Sequence, residues 1–315
     1  MEKFRSPDES GRLLVCFDFE GSYGMPHNTP YDLDAGVRRI LDSLARYQAR
    51  AIFFVVGRLA EEHPHIVSAL ADAGHEIGLH GYDHDDLASY DEQRLARLDD
   101  DLARVESRIE EIAGVRPGCF RAPYLLAPHF YRPEVYTMLR THGYRWVSNR
   151  EVRYPVELLQ PDRFPVHGAW RRRSTGAPRL IHRPLVLALL NAGLVTHEVF
   201  GRSPADRLRW LLGRRAPFIR DGLVEVPLYA PLDCDLIGSP SPHSDTPPET
   251  LAYARAVVRA AAVAPGALTM VTFHDWIVSA GNRLVLLDDA LATASEAGMA
   301  ISTVAANPHW LPAVA

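Results

Sequence analysis

His80 and His84 stand four residues apart in Gly78-Leu79-His80-Gly81-Tyr82-Asp83-His84. Two imidazoles at that spacing converge on one metal ion if the backbone between them turns. They follow an apolar run, Ile77-Gly78-Leu79, where a strand would give way to a loop. Another apolar run upstream ends in two carboxylates, Asp18 and Glu20. In an extended strand these two point to the same side. Two His and a carboxylate form a common three-ligand set that leaves a coordination position open for water. The chemistry indicated is metal-dependent hydrolysis. Neutral imidazoles suit zinc, iron, cobalt or nickel, so the ligand set does not settle the metal. His63 and His65 sit at a polar helix start and read as solvent-facing.

Short apolar runs alternate with helical patterns along the chain. Residues 13–17 read as a buried strand, and 33–49 as a helix with Val37, Ile40, Leu41 and Leu44 on one face. Residues 51–56 form an apolar strand, 59–73 a helix stopped by Gly74, and 76–79 a strand. Residues 91–113 make a long charged amphipathic helix ending near Gly114. A short strand at 119–120, a helix at 133–142 and a strand at 145–148 follow. The rhythm resumes with strands at 223–226, 268–273 and 301–304 and helices at 248–263 and 283–297. Such alternation predicts a mainly parallel sheet or barrel with its active site at the strand C-terminal ends. Asp18, Glu20, His80, Arg121 and His274 all fall at such ends. Residues 150–222 break the rhythm with Arg171-Arg172-Arg173, a strongly apolar stretch at 184–195 and a helical pattern at 207–212. They read as an insertion or subdomain within one domain spanning 1–315.

Four short motifs in this order resemble those of the polysaccharide deacetylase superfamily (NodB homology, carbohydrate esterase family 4), across roughly residues 12–305. Phe17-Asp18-Phe19-Glu20-Gly21 is similar to the family's paired acids, commonly two adjacent aspartates or Asp-x-Asp. By that resemblance Asp18 is the general base and Glu20 a metal ligand. The Glu is a departure that reaches further than Asp. The His80 to His84 stretch matches the family's His-x-x-x-His metal motif. Phe120-Arg121-Ala122-Pro123-Tyr124 looks like the Arg-x-Pro-Tyr motif, in which Arg121 would pair with Asp18. A guanidinium fork beside a carboxylate holds it ionised and aligned. The Tyr124 backbone N–H would help stabilise the oxyanion. Thr272-Phe273-His274-Asp275-Trp276 is similar to the late Leu-x-His motif, with His274 as general acid. An ordinary imidazole pKa of about 6.5 suits that role.

A second departure lies in Tyr144-Arg145-Trp146-Val147-Ser148-Asn149, which lacks the Asp that in the family orients the catalytic His. Asp233 and Asp235, in Leu232-Asp233-Cys234-Asp235, are candidates for that task, and loop carboxylates in a turn are an equal reading. Trp146 and Trp276 would line a sugar cleft or belong to the core. The fold implied is α/β, a distorted (β/α)7-8 barrel of the NodB type with a helical Arg-rich insertion.

Composition fits this class: 315 residues, 47% hydrophobic, 23% charged and a net charge of −5 are ordinary globular values. Residues 145–220 hold 15 Arg against 5 acidic residues, a net +10 that leaves −15 elsewhere. This block suits an anionic partner or a solvated surface. Cys16, Cys119 and Cys234 are too scattered for a disulfide framework or a thiolate zinc site. Cys16 and Cys119 read as core. No Ser-centred elbow, Walker-type loop or dinucleotide fingerprint appears, and nothing but the Arg block favours nucleic acid. The N-terminus lacks the apolar core of a signal peptide, and no segment approaches the roughly 20 apolar residues that span a bilayer. A cytoplasmic location is therefore expected.

With the resemblance, these points imply an N-deacetylase using a divalent metal, zinc first. Its substrate would be an N-acyl amino sugar that is small, nucleotide-linked, lipid-linked or of antibiotic type. Peripheral membrane contact through residues 150–222 is a further expectation. Two other readings stay open, a metal-independent cyclic amide hydrolase and a non-catalytic carbohydrate-binding relative.

Overall fold

A computed structural model of the chain describes residues 11–24, 31–124, 130–152, 216–229, 233, 246, 248–262 and 268–313. The elements follow in chain order as β1 (Arg12–Phe19), α1 (Leu33–Arg46), β2 (Ile52–Val55), α2 (Gly57–Glu62), α3 (Pro64–Asp72), β3 (Glu76–Leu79) and α4 (Glu92–Ala113). Then come β4 (Cys119–Phe120), α5 (Pro133–Thr141), β5 (Trp146–Val147), β6 (Glu151–Val152), β7 (Phe218–Arg220), β8 (Leu223–Glu225) and β9 (Leu228–Tyr229). The chain closes with α6 (Pro248–Ala262), β10 (Leu268–His274), α7 (Asp275–Val278), α8 (Leu284–Glu296) and β11 (Ala300–Ile301).

The main sheet runs β10-β1-β2-β3-β4-β5-β8-β7, with β11 also on β1. Every pairing in it is parallel except β7 with β8. The sheet curls into an open barrel of the NodB type, as expected. A small parallel ladder of β6 and β9 stands beside it.

Period-two alternation divides the core. On β1, Leu13, Val15, Phe17 and Phe19 join Phe53 and Val55 of β2 in the layer that packs under the helices. Leu14, Cys16, Ile52, Phe54, Cys119, Trp146, Val224 and Met270 form a separate cluster inside the curl. Helix ends carry the stops that their sequences supply. Asp32 and Asp91 accept the Ala35 and Arg94 backbone N–H groups at 3.0 and 2.8 Å. Gly114 closes α4 in the left-handed conformation, with φ 70°.

Three elements differ from the sequence expectation. The helix read over 59–73 is two helices, because Pro64 opens α3 after His63 has left helical geometry. The last strand is only Ala300–Ile301. Beyond it the chain crosses the floor of the curl, where the Ala305 N–H donates to Glu76 at 2.7 Å. The β7–β8 hairpin was not foreseen, although Asp221-Gly222, both left-handed at φ 49° and 76°, is a two-residue turn signal. Most of the expected insertion lies outside the described residues, including Arg171-Arg172-Arg173, 184–195 and 207–212. Among the described residues no helix is long and apolar enough to cross a membrane.

His142, just past α5, ties that helix to α4. Its Nδ1 lies 3.0 Å from Glu106 and its Nε2 2.9 Å from Asp99. Burial opposes the imidazolium, but the two carboxylates outweigh it and raise the pKa. A pKa raised in the folded state gives stability that is full below the unfolded value of about 6.5 and is lost as pH rises through the folded value. Melting temperatures of the parent and His142→Ala should therefore differ most near pH 6 and converge at alkaline pH. An equal gap at both ends of that range would remove the ion-pair account.

Candidate metal centre and catalytic site

The inward rows of the parallel strands end in polar side chains at one mouth of the curl. On β1 the row runs Leu14, Cys16, Asp18, and on β10 it runs Met270, Thr272, His274. Register places Cys16 beside Thr272 and Asp18 beside His274. His80, Arg121 and Ser148 follow β3, β4 and β5 at the same level, and Glu20 follows β1.

Arg121 is 0% exposed. Its Nη1 donates to Asp18 and to Thr272 Oγ1, the latter at 3.2 Å. Its Nε reaches the Ser148 carbonyl at 3.2 Å, and Nη2 reaches Ser148 Oγ and Met270 Sδ at 3.1 and 2.9 Å. The guanidinium lies 4.2 Å from the centre of the Phe54 ring. The expected Asp18–Arg121 pair is thus present and buried.

Glu20 sits among three imidazoles. Its Oε1 is 2.9 Å from His84 Nε2, 3.4 Å from His80 Nε2 and 3.8 Å from His274 Nε2. Burial works against its ionisation. The charge of His274 and hydrogen bonds with His80 and His84 outweigh this and hold the carboxyl well below its usual range. His80 Nδ1–H donates to the Arg121 carbonyl at 3.0 Å, which fixes the ring with its Nε2 edge facing Glu20. An ionised carboxylate and two imidazoles, with donor atoms all within 4.8 Å of one another, fit a divalent cation. Asp18, Glu20 and His274 also cluster within 4.8 Å. That set fits less well, because Arg121 already engages Asp18 and the surroundings of His274 favour its protonated form.

His274 is oriented by Asp233. Its ring Nδ1 lies 2.9 Å from Asp233 Oδ1, and its backbone N–H donates to the other oxygen. Burial lowers the imidazole pKa, but Asp233 and Glu20 prevail and push it up to about 10. Asp235 lies outside the described residues.

The loop between His80 and His84 is fastened to the start of α2. The Gly57 and Arg58 N–H groups donate to the Gly81 and Tyr82 carbonyls at 3.1 and 3.0 Å, and Arg58 pairs with Asp83. His84 and Tyr124 both hold left-handed backbones, at φ 57° and 60°. Tyr124 is 56% exposed, and its ring centre lies 4.6 Å from that of His84. The turn that carries it is pinned from below. The Ala122 N–H donates to Asn149 Oδ1 at 2.7 Å, and the Asn149 N–H donates to buried Glu225 at 2.6 Å.

The structure brings Asp18, Glu20, His80, His84, Arg121 and His274 together, with Tyr124 at the rim. His65 is exposed and pairs with Asp34 at 2.9 Å, away from this cluster. Trp146 is buried inside the curl and stands edge-on to Phe54 at 5.7 Å, so it is core. The sequence reading missed the role of Asp275, which accepts the Glu20 and Gly21 N–H groups at 2.8 and 3.2 Å and the Tyr31 hydroxyl at 2.9 Å. Burial pushes the Asp275 carboxyl up to about 6. Trp276, read as cleft or core, is buried, and the reading missed that its indole N–H donates to Glu20 Oε2 at 3.0 Å. The adjacency of Asp275 and Trp276 to His274 was the only local signal for either.

Residues 12–147 match the sequence model of the polysaccharide deacetylase family. A peptidoglycan-N-acetylglucosamine deacetylase of Bacillus cereus is 36% identical over 86 residues, 27% of this chain and 30% of that protein. A peptidoglycan deacetylase-like protein of Gibberella zeae is 35% identical over 133 residues, 38% of each chain. The chain thus spans about a third of the length of these relatives. A crystal structure described as a polysaccharide deacetylase of Mycobacterium smegmatis superposes with a TM-score of 0.64 at 18% identity, covering 100% of this chain and 96% of that one. This last likeness establishes the fold.

Two substitutions probe the electrostatics. Arg121→Met leaves Asp18 buried without its partner and should cost about 3–5 kcal/mol in urea unfolding. A loss under about 1 kcal/mol would show that Asp18 finds other compensation. Asp233→Asn should lower the His274 pKa by about one unit or more, read by imidazole NMR on metal-free protein. An unmoved titration would assign the upward shift elsewhere.

Proposed function

We propose, from the premise that residues 12–147 belong to the polysaccharide deacetylase family, that this protein is a metal-dependent N-deacetylase of amino sugars. The observation that carries the reading is the meeting of an Arg-held carboxylate, a two-His-one-carboxylate cluster and an Asp-held histidine at one mouth of the sheet.

Glu20, His80 and His84 would hold a divalent ion, zinc first. When bound, such an ion supplies Lewis acidity toward the amide carbonyl and lowers the pKa of water. Asp18 takes the proton from the attacking water, while Arg121 fixes the direction of the carboxylate. The Tyr124 N–H donates to the oxygen that gains charge as the water oxygen bonds to the acyl carbon. His274, protonated at neutral pH and turned toward the site by Asp233, gives its proton to the departing nitrogen as the C–N bond breaks. The products are a carboxylate, acetate for an N-acetyl substrate, and a free amine.

The substrate class follows from the relatives named above, both of which are described by peptidoglycan deacetylation. We infer an N-acetyl amino sugar, as part of a glycan or as a small, nucleotide-linked or lipid-linked glycoside. Acetate release from peptidoglycan fragments, N-acetylglucosamine oligomers, nucleotide sugars and lipid-linked sugars tests this directly. Dialysis against chelator should abolish release, and zinc should restore it. His80→Ala and His84→Ala should each lose the ion, and Asp18→Asn should lower kcat by about 100-fold or more. Full activity in chelator-treated protein would favour the metal-independent reading. Binding of these sugars with no release, by a protein that holds its ion, would favour the non-catalytic one.

A further inference from the structure

Glu20 carries one methylene more than an aspartate at the same place would, and its surroundings fit the extra length. One oxygen, Oε1, faces His84 and His80 at 2.9 and 3.4 Å. The other, Oε2, points away from them and accepts from the Trp276 indole N–H at 3.0 Å. Trp276 is buried, and an indole offers one donor and no acceptor. It therefore holds a carboxylate oxygen without competing as a ligand.

Gly24 closes the other side. The Tyr23 N–H donates to the Glu20 carbonyl at 3.0 Å, a turn that brings the chain back over the Glu20 side chain. A Cβ on Gly24 would lie 1.6 Å from Glu20 Oε2, 2.6 Å from its Cδ and 2.8 Å from Trp276 Nε1. Gly24 is not among the positive-φ glycines, so no left-handed backbone demands a glycine there. The requirement at this position is space. A carboxylate end can ordinarily swing away from an added methyl group. Here Oε1 is directed at the imidazoles, and the Glu20 N–H is held by Asp275. Asp275 and Trp276 are consecutive on α7, so one short helix grips both the backbone and the side chain of Glu20.

We propose that Gly24 and Trp276 form a socket fitted to a glutamate at position 20, and that they act as positioning residues for the metal-ligating carboxylate. Trp276 takes Oε2 and so leaves Oε1 as the single oxygen offered to the ion. Gly24 leaves the volume that the additional methylene needs. The inference rests on the reading of Glu20 as a metal ligand.

Zinc titration of the full chain against a competing chelator tests it, with the metal-free melting temperature as the folding control. Trp276→Phe keeps the ring and removes the donor, and should weaken zinc binding by about tenfold or more. Gly24→Ala should do the same through displacement of Oε2. The decisive measurement is the coupling between Gly24→Ala and Glu20→Asp. In the E20D background the shorter carboxylate withdraws from the added methyl, so Gly24→Ala should cost little further affinity. Additive losses would overturn the socket, because a merely structural role for Gly24 does not depend on side-chain length at position 20. Parental affinity in both Gly24→Ala and Trp276→Phe would overturn it as well. A parent protein that binds no zinc would sink the metal reading and the socket together, and a parent that binds zinc while the variants behave additively would sink the socket alone.

Discussion

The site depends on a guanidinium that water cannot reach. Arg121 has no exposure, and a bare cation in an apolar interior would cost several kcal/mol even after relaxation. Its donors are therefore distributed over Asp18, Thr272, Ser148 and Met270, which belong to or follow β1, β10 and β5. This one side chain joins four parts of the sheet across its concave side. It also marks a boundary. Toward the strand starts, the interior is filled by Leu14, Cys16, Ile52 and Trp146, and toward the strand ends it is polar. Because strand side chains alternate, a slip of one residue in β1 would turn Asp18 into the helix layer and leave Arg121 unpaired. The parallel register and the ion pair constrain each other.

Around that pair, several groups of the proposed site are held by neighbours that take no part in the proposed reaction. Asp233 sets the ring of His274, and the Arg121 carbonyl sets the ring of His80. Asp275 fixes the backbone at Glu20, and Asn149, backed by Glu225 and Tyr136, fixes the turn before Tyr124. Preorganisation of this kind keeps donors and acceptors aimed without reorganisation during a reaction. The strained backbones at His84 and Tyr124 fit the same picture, since an unfavourable φ persists only where the surroundings impose it.

What was legible in the sequence follows from distance along the chain. His80 and His84 were visible because both histidines lie in one five-residue window. The strand-end positions of Asp18, Glu20, Arg121 and His274 were visible because the strands are short apolar runs with clear ends. The orienting acid was legible only as one of two candidates, Asp233 or Asp235, since 41 residues separate Asp233 from His274. The grip of α7 on Glu20 spans 256 residues, and no local pattern encodes it. Trp146 read as core or cleft because an aromatic residue at a strand end suits either, and only the curl of the sheet buries it. The single helix read over 59–73 failed at Pro64 for a local reason, since apolar periodicity continues across a break that proline imposes.

The two buried carboxylates at the mouth are chemically alike and are set apart by their partners. Asp18 faces a guanidinium, a permanent cation, so its charge is compensated whether or not a metal is bound. Glu20 faces imidazole nitrogens, which can serve as metal ligands through a lone pair. A divalent ion held among Glu20, His80 and His84 would supply that carboxylate with a counter-charge. At Asp18 the Arg121 guanidinium already occupies the carboxylate. One acid is thus placed to take a metal as its partner and the other to keep a guanidinium. That difference, more than the spacing of the acids in the strand, supports the proposal that Glu20 is the ligand and Asp18 handles the proton.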